Sequence, residues 1–175
     1  MTAKTFTNTA GGTWDTGTNW RPTGGPGGAD DAIINVAGTY TVTIDAADPA
    51  NTATLSSAGA TLLIAASGQL LLDNATAPVL ALEAGTLDLA GILTGDTIVN
   101  TGAALRMSGG TLDGVVWDGP LNGDAGSFGI LDIKDGITVN NAVGNAPGRR
   151  AISTPAIGRL SRRRRECVVA PEGKG

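Results

Sequence analysis

The sequence contains no histidine, and it has a single cysteine among its 175 residues. The missing histidine removes the usual general base, the usual partner of a nucleophilic serine and the commonest metal ligand. The single cysteine excludes an intrachain disulfide, which by itself does not assign a compartment. Aromatic residues make up only 3%, and helix formers such as Glu and Lys are scarce. No stretch approaches the ~18 apolar residues of a membrane helix. The opening MTAKTFTNTA lacks the apolar centre of a signal peptide. The expectation is therefore that the protein stays inside, leaves by another route, or is a fragment.

What is abundant is Gly, at 27 residues, together with Thr, Ala, Asp and Leu. That mixture favours many turns and short strands. Charge is divided unevenly. Residues 1–148 hold four basic residues (Lys4, Arg21, Arg106, Lys134) against fourteen acidic ones, a net of −10. Residues 149–175 hold eight basic against two acidic, a net of +6, which together give the −4 of the whole chain. The two parts need separate explanations.

Between residues 52 and 143 the sequence repeats about every 25 residues. The segments TATLSSAGATLLI, APVLALEAGTLDL, GAALRMSGGTLDG and SFGILDIKDGITV align one above another. Leu55, Leu80, Leu105 and Ile130 then share one column, and Leu62, Leu87, Leu112 and Ile137 a second. Ala60, Gly85, Gly110 and Gly136 mark the turn before the second column. Runs such as VLALE, TLDLA and ILDIK alternate apolar and polar residues, the signature of half-buried strands. A period in this range means one supersecondary unit per repeat, stacked on its neighbours. The predicted fold is all-β: a single-stranded, right-handed parallel β-helix with coils of about 25 residues. Its core would be ladders of like side chains, one strand spacing of roughly 4.8 Å apart.

Three regions follow. Residues 1–30 read as an N-terminal cap, in which Trp14 and Trp20 cover the open end of the stack; the alternative is that these indoles stack on a sugar. Asp30 and Asp31, after GGPGGA, read as a polar turn closing the cap, with a cation site as the alternative. Residues 31–143 form the β-helix, opening with AIINV and YTVTI, in which Tyr40, Val42 and Ile44 share one face. Pro49, in DAADPAN, is expected to end any strand there. Residues 144–175 read as a disordered basic tail with four consecutive arginines at 162–165. Such a run suits an anionic surface, but without interleaved aromatics or a recognition helix it predicts no specific nucleic-acid binding. An abrupt Arg/Pro/Gly-rich ending is also what a shifted reading frame in GC-rich DNA would give.

The strongest candidate for ligand contact is the loop-like VVWDGPLNGD, where Trp117 could stack on a carbohydrate while Asp118 and Asn122 hydrogen-bond it. Packing of Trp117 inside a wider coil is the competing reading. Asp88 and Asp113 fall in one column of the 25-residue alignment, roughly 5 Å apart if stacked. Paired carboxylates at such separations can cleave glycosides, but both alternate with leucines and so point to solvent. No catalytic residue, metal or cofactor is expected, and the chain does not read as an enzyme.

The pieces Gly11, Gly12 and Trp14, then Asn19 and Trp20, then Asp31 to Ile34 and Tyr40 to Ile44, resemble the start of bacterial secreted β-solenoids: autotransporter passengers and related filamentous adhesins. The resemblance covers about residues 11–143. It implies a parallel β-helix, a secreted or cell-surface location, and a structural or adhesive role with a surface glycan or host receptor as partner. Two features of that family, a signal peptide and a C-terminal membrane β-barrel, have no counterpart in this sequence. The alternative function is a carbohydrate-binding or carbohydrate-cleaving β-helix. An open final coil would also favour self-association.

Overall fold

The structure, a computed structural model, describes residues 1–72, 80–95, 97–121 and 130–140. The basic tail from residue 144 onward lies outside the described residues. Among them there is no α-helix; short strands stack as the coils of a parallel β-helix with three walls. The first wall holds β1 (Thr2–Phe6), β4 (Asp30–Ile34), β7 (Thr52–Leu55), β10 (Leu80–Leu82) and β13 (Thr97–Asn100). The second holds β2 (Gly12–Thr13), β5 (Tyr40–Ile44), β8 (Ala60–Ile64), β11 (Thr86–Leu89) and β14 (Ala104–Met107). The third holds β6 (Ala47–Ala50), β9 (Gln69–Leu72) and β12 (Ile92–Thr94). The long strand β15 (Thr111–Asp118) turns a corner: it pairs with β12 through its first half and with β13 through its second. It thereby joins the first and third walls into one sheet. β16 (Asp132–Asn140) follows β15 along both halves.

Alternation explains the walls. In β5 and β8 every second residue is buried, and the same holds in β7, β9, β11 and β13. Inward residues therefore stack in columns, such as Val42, Leu62, Leu87 and Leu105 in the second wall. Leu70, Leu93 and Leu112 do the same in the third. All seven are fully buried, each side chain contributing about 1.5–3 kcal/mol of apolar burial.

The coils are unequal, which redistributes the expected columns. Leu62 pairs with Leu87, 25 residues on, but Leu87 pairs with Leu105, 18 residues on. Leu55 faces Leu82 rather than Leu80, a step of 27. Leu112 stands in the third wall beside Leu93 and Ile133, not under Leu87. Ile130 is not in a column at all, being 74% exposed. The physical reason is the two-residue period of a strand. Either Leu80 or Leu82, two positions apart, satisfies the pattern, and Leu112 leaves its column because the coil from Leu87 to Leu105 is seven residues shorter than the one before it. Pro49 also departs from expectation: it lies within β6. β6 is at the edge of its sheet, where a proline costs no ladder bond to a further strand.

The N-terminal end is closed by β3 (Trp20–Arg21), among the described residues the one antiparallel partner, which lies along β1. Trp14 and Trp20 meet edge to face at 5.0 Å, Phe6 meets Trp20 at 5.2 Å and stacks on Tyr40 at 5.7 Å. The Trp20 indole N–H donates to the Trp14 carbonyl at 2.6 Å. The turn to the second wall at Gly85 needs glycine twice over. Its φ is +83°, and a Cβ there would sit 2.6 Å from the carbonyl oxygens of Ser57 and Ala60 in the coil below. Gly109 has a similar φ of +92° with nothing within 4 Å of its Cβ position. Gly85→Ala is expected to destabilise the fold by more than about 1 kcal/mol, and by clearly more than Gly109→Ala, which bears only the backbone term. Equal shifts in thermal midpoint for the two variants would refute close coil stacking at this corner.

Candidate functional site

The outward residues of the second wall form two columns. One runs Thr41, Thr61, Thr86 and Ala104; the other Thr13, Thr43, Leu63, Asp88 and Arg106. Threonine suits such half-buried strand positions because its branched Cβ packs on the pleat while its hydroxyl reaches solvent. At the N-terminal end of this wall the threonines line an open groove of about 410 Å³. Thr39, Thr41, Thr43 and Thr61 supply hydroxyls to it. Gly11, Gly12 and Gly59 also line it, and two of them are fixed by close packing. A Cβ on Gly12 would meet the Asn19 amide nitrogen at 2.6 Å, and one on Gly59 the Gly38 carbonyl oxygen at 2.4 Å.

The groove is neutral. Its only titratable lining group is Tyr40, whose phenol donates to the Val36 carbonyl at 2.8 Å. Burial raises the Tyr40 pKa, against a smaller opposing effect of the Ser57 hydroxyl, so the phenol stays protonated at neutral pH. The groove can therefore hydrogen-bond a polar, uncharged ligand, but offers no acid or base near neutrality.

The carboxylates are used elsewhere. Asp88 and Asp113 do not come together: Asp88 is on the second wall beside Arg106, Asp113 on the third beside Lys134. Asp88 accepts from the Ser108 hydroxyl at 2.6 Å and pairs with Arg106 at 3.5 Å. Asp113 pairs with Lys134 at 2.7 Å; that hydrogen bond and charge raise the lysine pKa. The column placing the two aspartates together fails for the same reason as the leucine columns. Asp30 accepts from the Gly27 N–H at 3.1 Å, and Asp31 from the Asn51 amide and the Thr52 hydroxyl at 2.7 and 2.8 Å. Both begin strand β4 rather than forming a turn, with their carboxylates occupied there. Among the described residues no group of three or more His, Cys, Asp or Glu side chains is placed to hold a metal ion.

Trp117 points inward from the first wall, in register with Ile98 and Val139. It is fully buried, with its indole N–H 3.4 Å from the Pro120 carbonyl, so it has no face to offer a sugar ring. Asp118, the next residue, is half-buried, and Asn122 lies outside the described residues. The three residues proposed from sequence are thus not assembled into a described site.

One group escaped sequence reasoning. Asp48 occupies an inward position of β6, beside Leu70, and is only 7% exposed. Its Oδ2 has no hydrogen-bond partner, and neither has the buried Trp14 indole nitrogen. Burial, then the charges of Asp15 and Asp45, push the Asp48 pKa up. DAADPAN gave no hint, because its proline and acidic residues look like a loop. An inward charge on an edge strand is a known way to discourage strand addition.

Comparison with known proteins gives no match: neither a family model, nor a curated protein, nor a solved structure matches this chain.

A raised aspartate pKa stabilises the fold while the carboxyl is protonated. That contribution is complete below the unfolded-chain value of about 4 and is lost as pH rises through the raised folded value. Asp48→Asn, which cannot ionise, is expected to raise the thermal midpoint near neutral pH, with the gain shrinking toward pH 4. A gain that is the same at both pH values, or a loss at neutral pH, would contradict a buried, unpaired carboxylate.

Proposed function

We propose that this chain is a structural and adhesive segment of a bacterial secreted or cell-surface β-solenoid, working in the manner of autotransporter passengers and filamentous adhesins. The observation that carries the reading is the in-register stack itself. Three walls of short parallel strands are locked by buried columns, while the outward side chains include threonines and rung-to-rung ion pairs. Such a coil stack supplies a stiff spacer whose outer wall is available for contact. In this reading the chain acts by holding and presenting a surface, with a glycan or a host receptor as partner.

A second reading, a carbohydrate-binding β-helix, is favoured by the neutral groove with hydroxyls from consecutive coils. Neutral hydroxyl donors and acceptors match the chemistry of a sugar. Thr41→Val together with Thr61→Val removes two hydroxyls while keeping the side-chain shape. If the groove binds glycans, an array probed with the parent chain gives a defined set of hits. The double variant then weakens them about tenfold or more. The structural reading has its own test. Placed between a signal peptide and a membrane β-barrel, the chain is expected to reach the cell surface as a folded, protease-resistant segment. Rapid degradation there would sink it.

A further inference from the structure

The two ends of the stack differ. At the C-terminal side Ile133 covers Leu112, Ile137 covers Val115 and Val139 covers Trp117. The three covered residues are at most 2% exposed, whereas Ile133 is 45% and Val139 43% exposed. Among the described residues β16 has a strand partner on one edge only. A nine-residue strand thus presents backbone N–H and C=O groups beside apolar side chains, the combination that recruits another strand. The sequence beyond Val143 has no apolar alternation with which to extend these columns.

The N-terminal side is blunted on every wall. β3 lies antiparallel along β1, the second wall ends on the two-residue β2, and the third ends on β6 with its proline and its inward Asp48. Head-to-tail stacking needs both ends receptive, and only one is.

We propose that β16 is a homodimer interface, in which two copies pair antiparallel, tail to tail, about a two-fold axis at Gly136. The strand DIKDGITVN is self-complementary in that register. Ile133 of one copy lies opposite Val139 of the other, twice by symmetry; Lys134 lies opposite Thr138 and Asp132 opposite Asn140. No like charges meet, the inward Ile133 and Val139 face each other, and Asp135 at the bulge falls opposite Ile137. The bend also fits. Asp135 and Gly136, with φ of +52° and +87°, turn the strand from third wall to first. A two-fold at that corner lays each wall's half-strand on the other wall's half-strand. An isologous contact of this kind closes at two copies and does not propagate. It is independent of any adhesive role, because it concerns the chain alone.

Sedimentation of the full 175-residue chain tests this. The expected result is a concentration-dependent dimer, converted to monomer by Ile133→Lys with Val139→Lys while the far-ultraviolet spectrum is unchanged. In case that variant misfolds, two single variants in a Cys167→Ser background, Lys134→Cys and Thr138→Cys, are mixed and oxidised. A covalent dimer forming in the mixture and in neither variant alone supports the register. Monomer at every concentration, a ladder of larger oligomers, or no cross-linking in the mixture would each overturn the proposal.

Discussion

The structure depends on one repeated contact: an inward side chain resting on its counterpart one coil away. The parallel ladders set the spacing, and the columns fill the space the ladders enclose. Because Val42, Leu62, Leu87 and Leu105 stand in register one above another, each coil buries its inward face against its neighbours. That dependence explains why the ends matter so much. The cluster of Phe6, Trp14, Trp20 and Tyr40 gathers four of the chain's six aromatic side chains at the N-terminal end of the described stack. It also explains the polar groups at the corners. Asn100 sits in a buried column position below Leu82, yet bonds the carbonyls of Ala103 and Pro120 and accepts from the N–H groups of Gly102 and Ala103. A buried amide is tolerated there because all its hydrogen-bonding atoms are occupied.

The period-two alternation made the strands, their inward faces and the solenoid legible in the sequence. Tyr40, Val42 and Ile44 point inward as their spacing requires. What alternation does not carry is the length of each turn. Corner loops add or drop residues without disturbing inward parity, so Leu105 sits under Leu87 although a fixed repeat would set Leu112 there. The same degeneracy set Asp88 and Asp113 side by side in the alignment and on different walls in the structure. Trp117 was ambiguous for another reason. Its neighbours Asp118, Gly119 and Pro120 have loop composition, while the ladder to β13 and β16 places it in the core. The groove was invisible because threonine and glycine are too frequent in this chain to stand out.

Electrostatics follow the same geometry. Outward charges meet partners one rung away, as Asp88 meets Arg106 and Asp113 meets Lys134, and such solvent-exposed pairs add little to stability. They choose neighbours rather than hold the fold. Asp48 is the exception, a largely buried carboxyl at the edge of the third wall whose Oδ2 has no hydrogen-bond partner. Its cost is consistent with a role at the boundary rather than in the interior.

The unequal coils have a further consequence for how such a molecule changes over evolutionary time. Successive steps of 27 and 18 residues are accommodated along the first wall, from Leu55 to Leu82 and from Leu80 to Ile98. A length change of nine residues is therefore absorbed as two, two and five residues at the three corners while these ladders keep their register. Insertions and deletions in this scaffold are local events. The corners become the natural places to graft new recognition loops, and the walls, which cannot shift by one residue without turning their faces inside out, hold the lineage's fold constant.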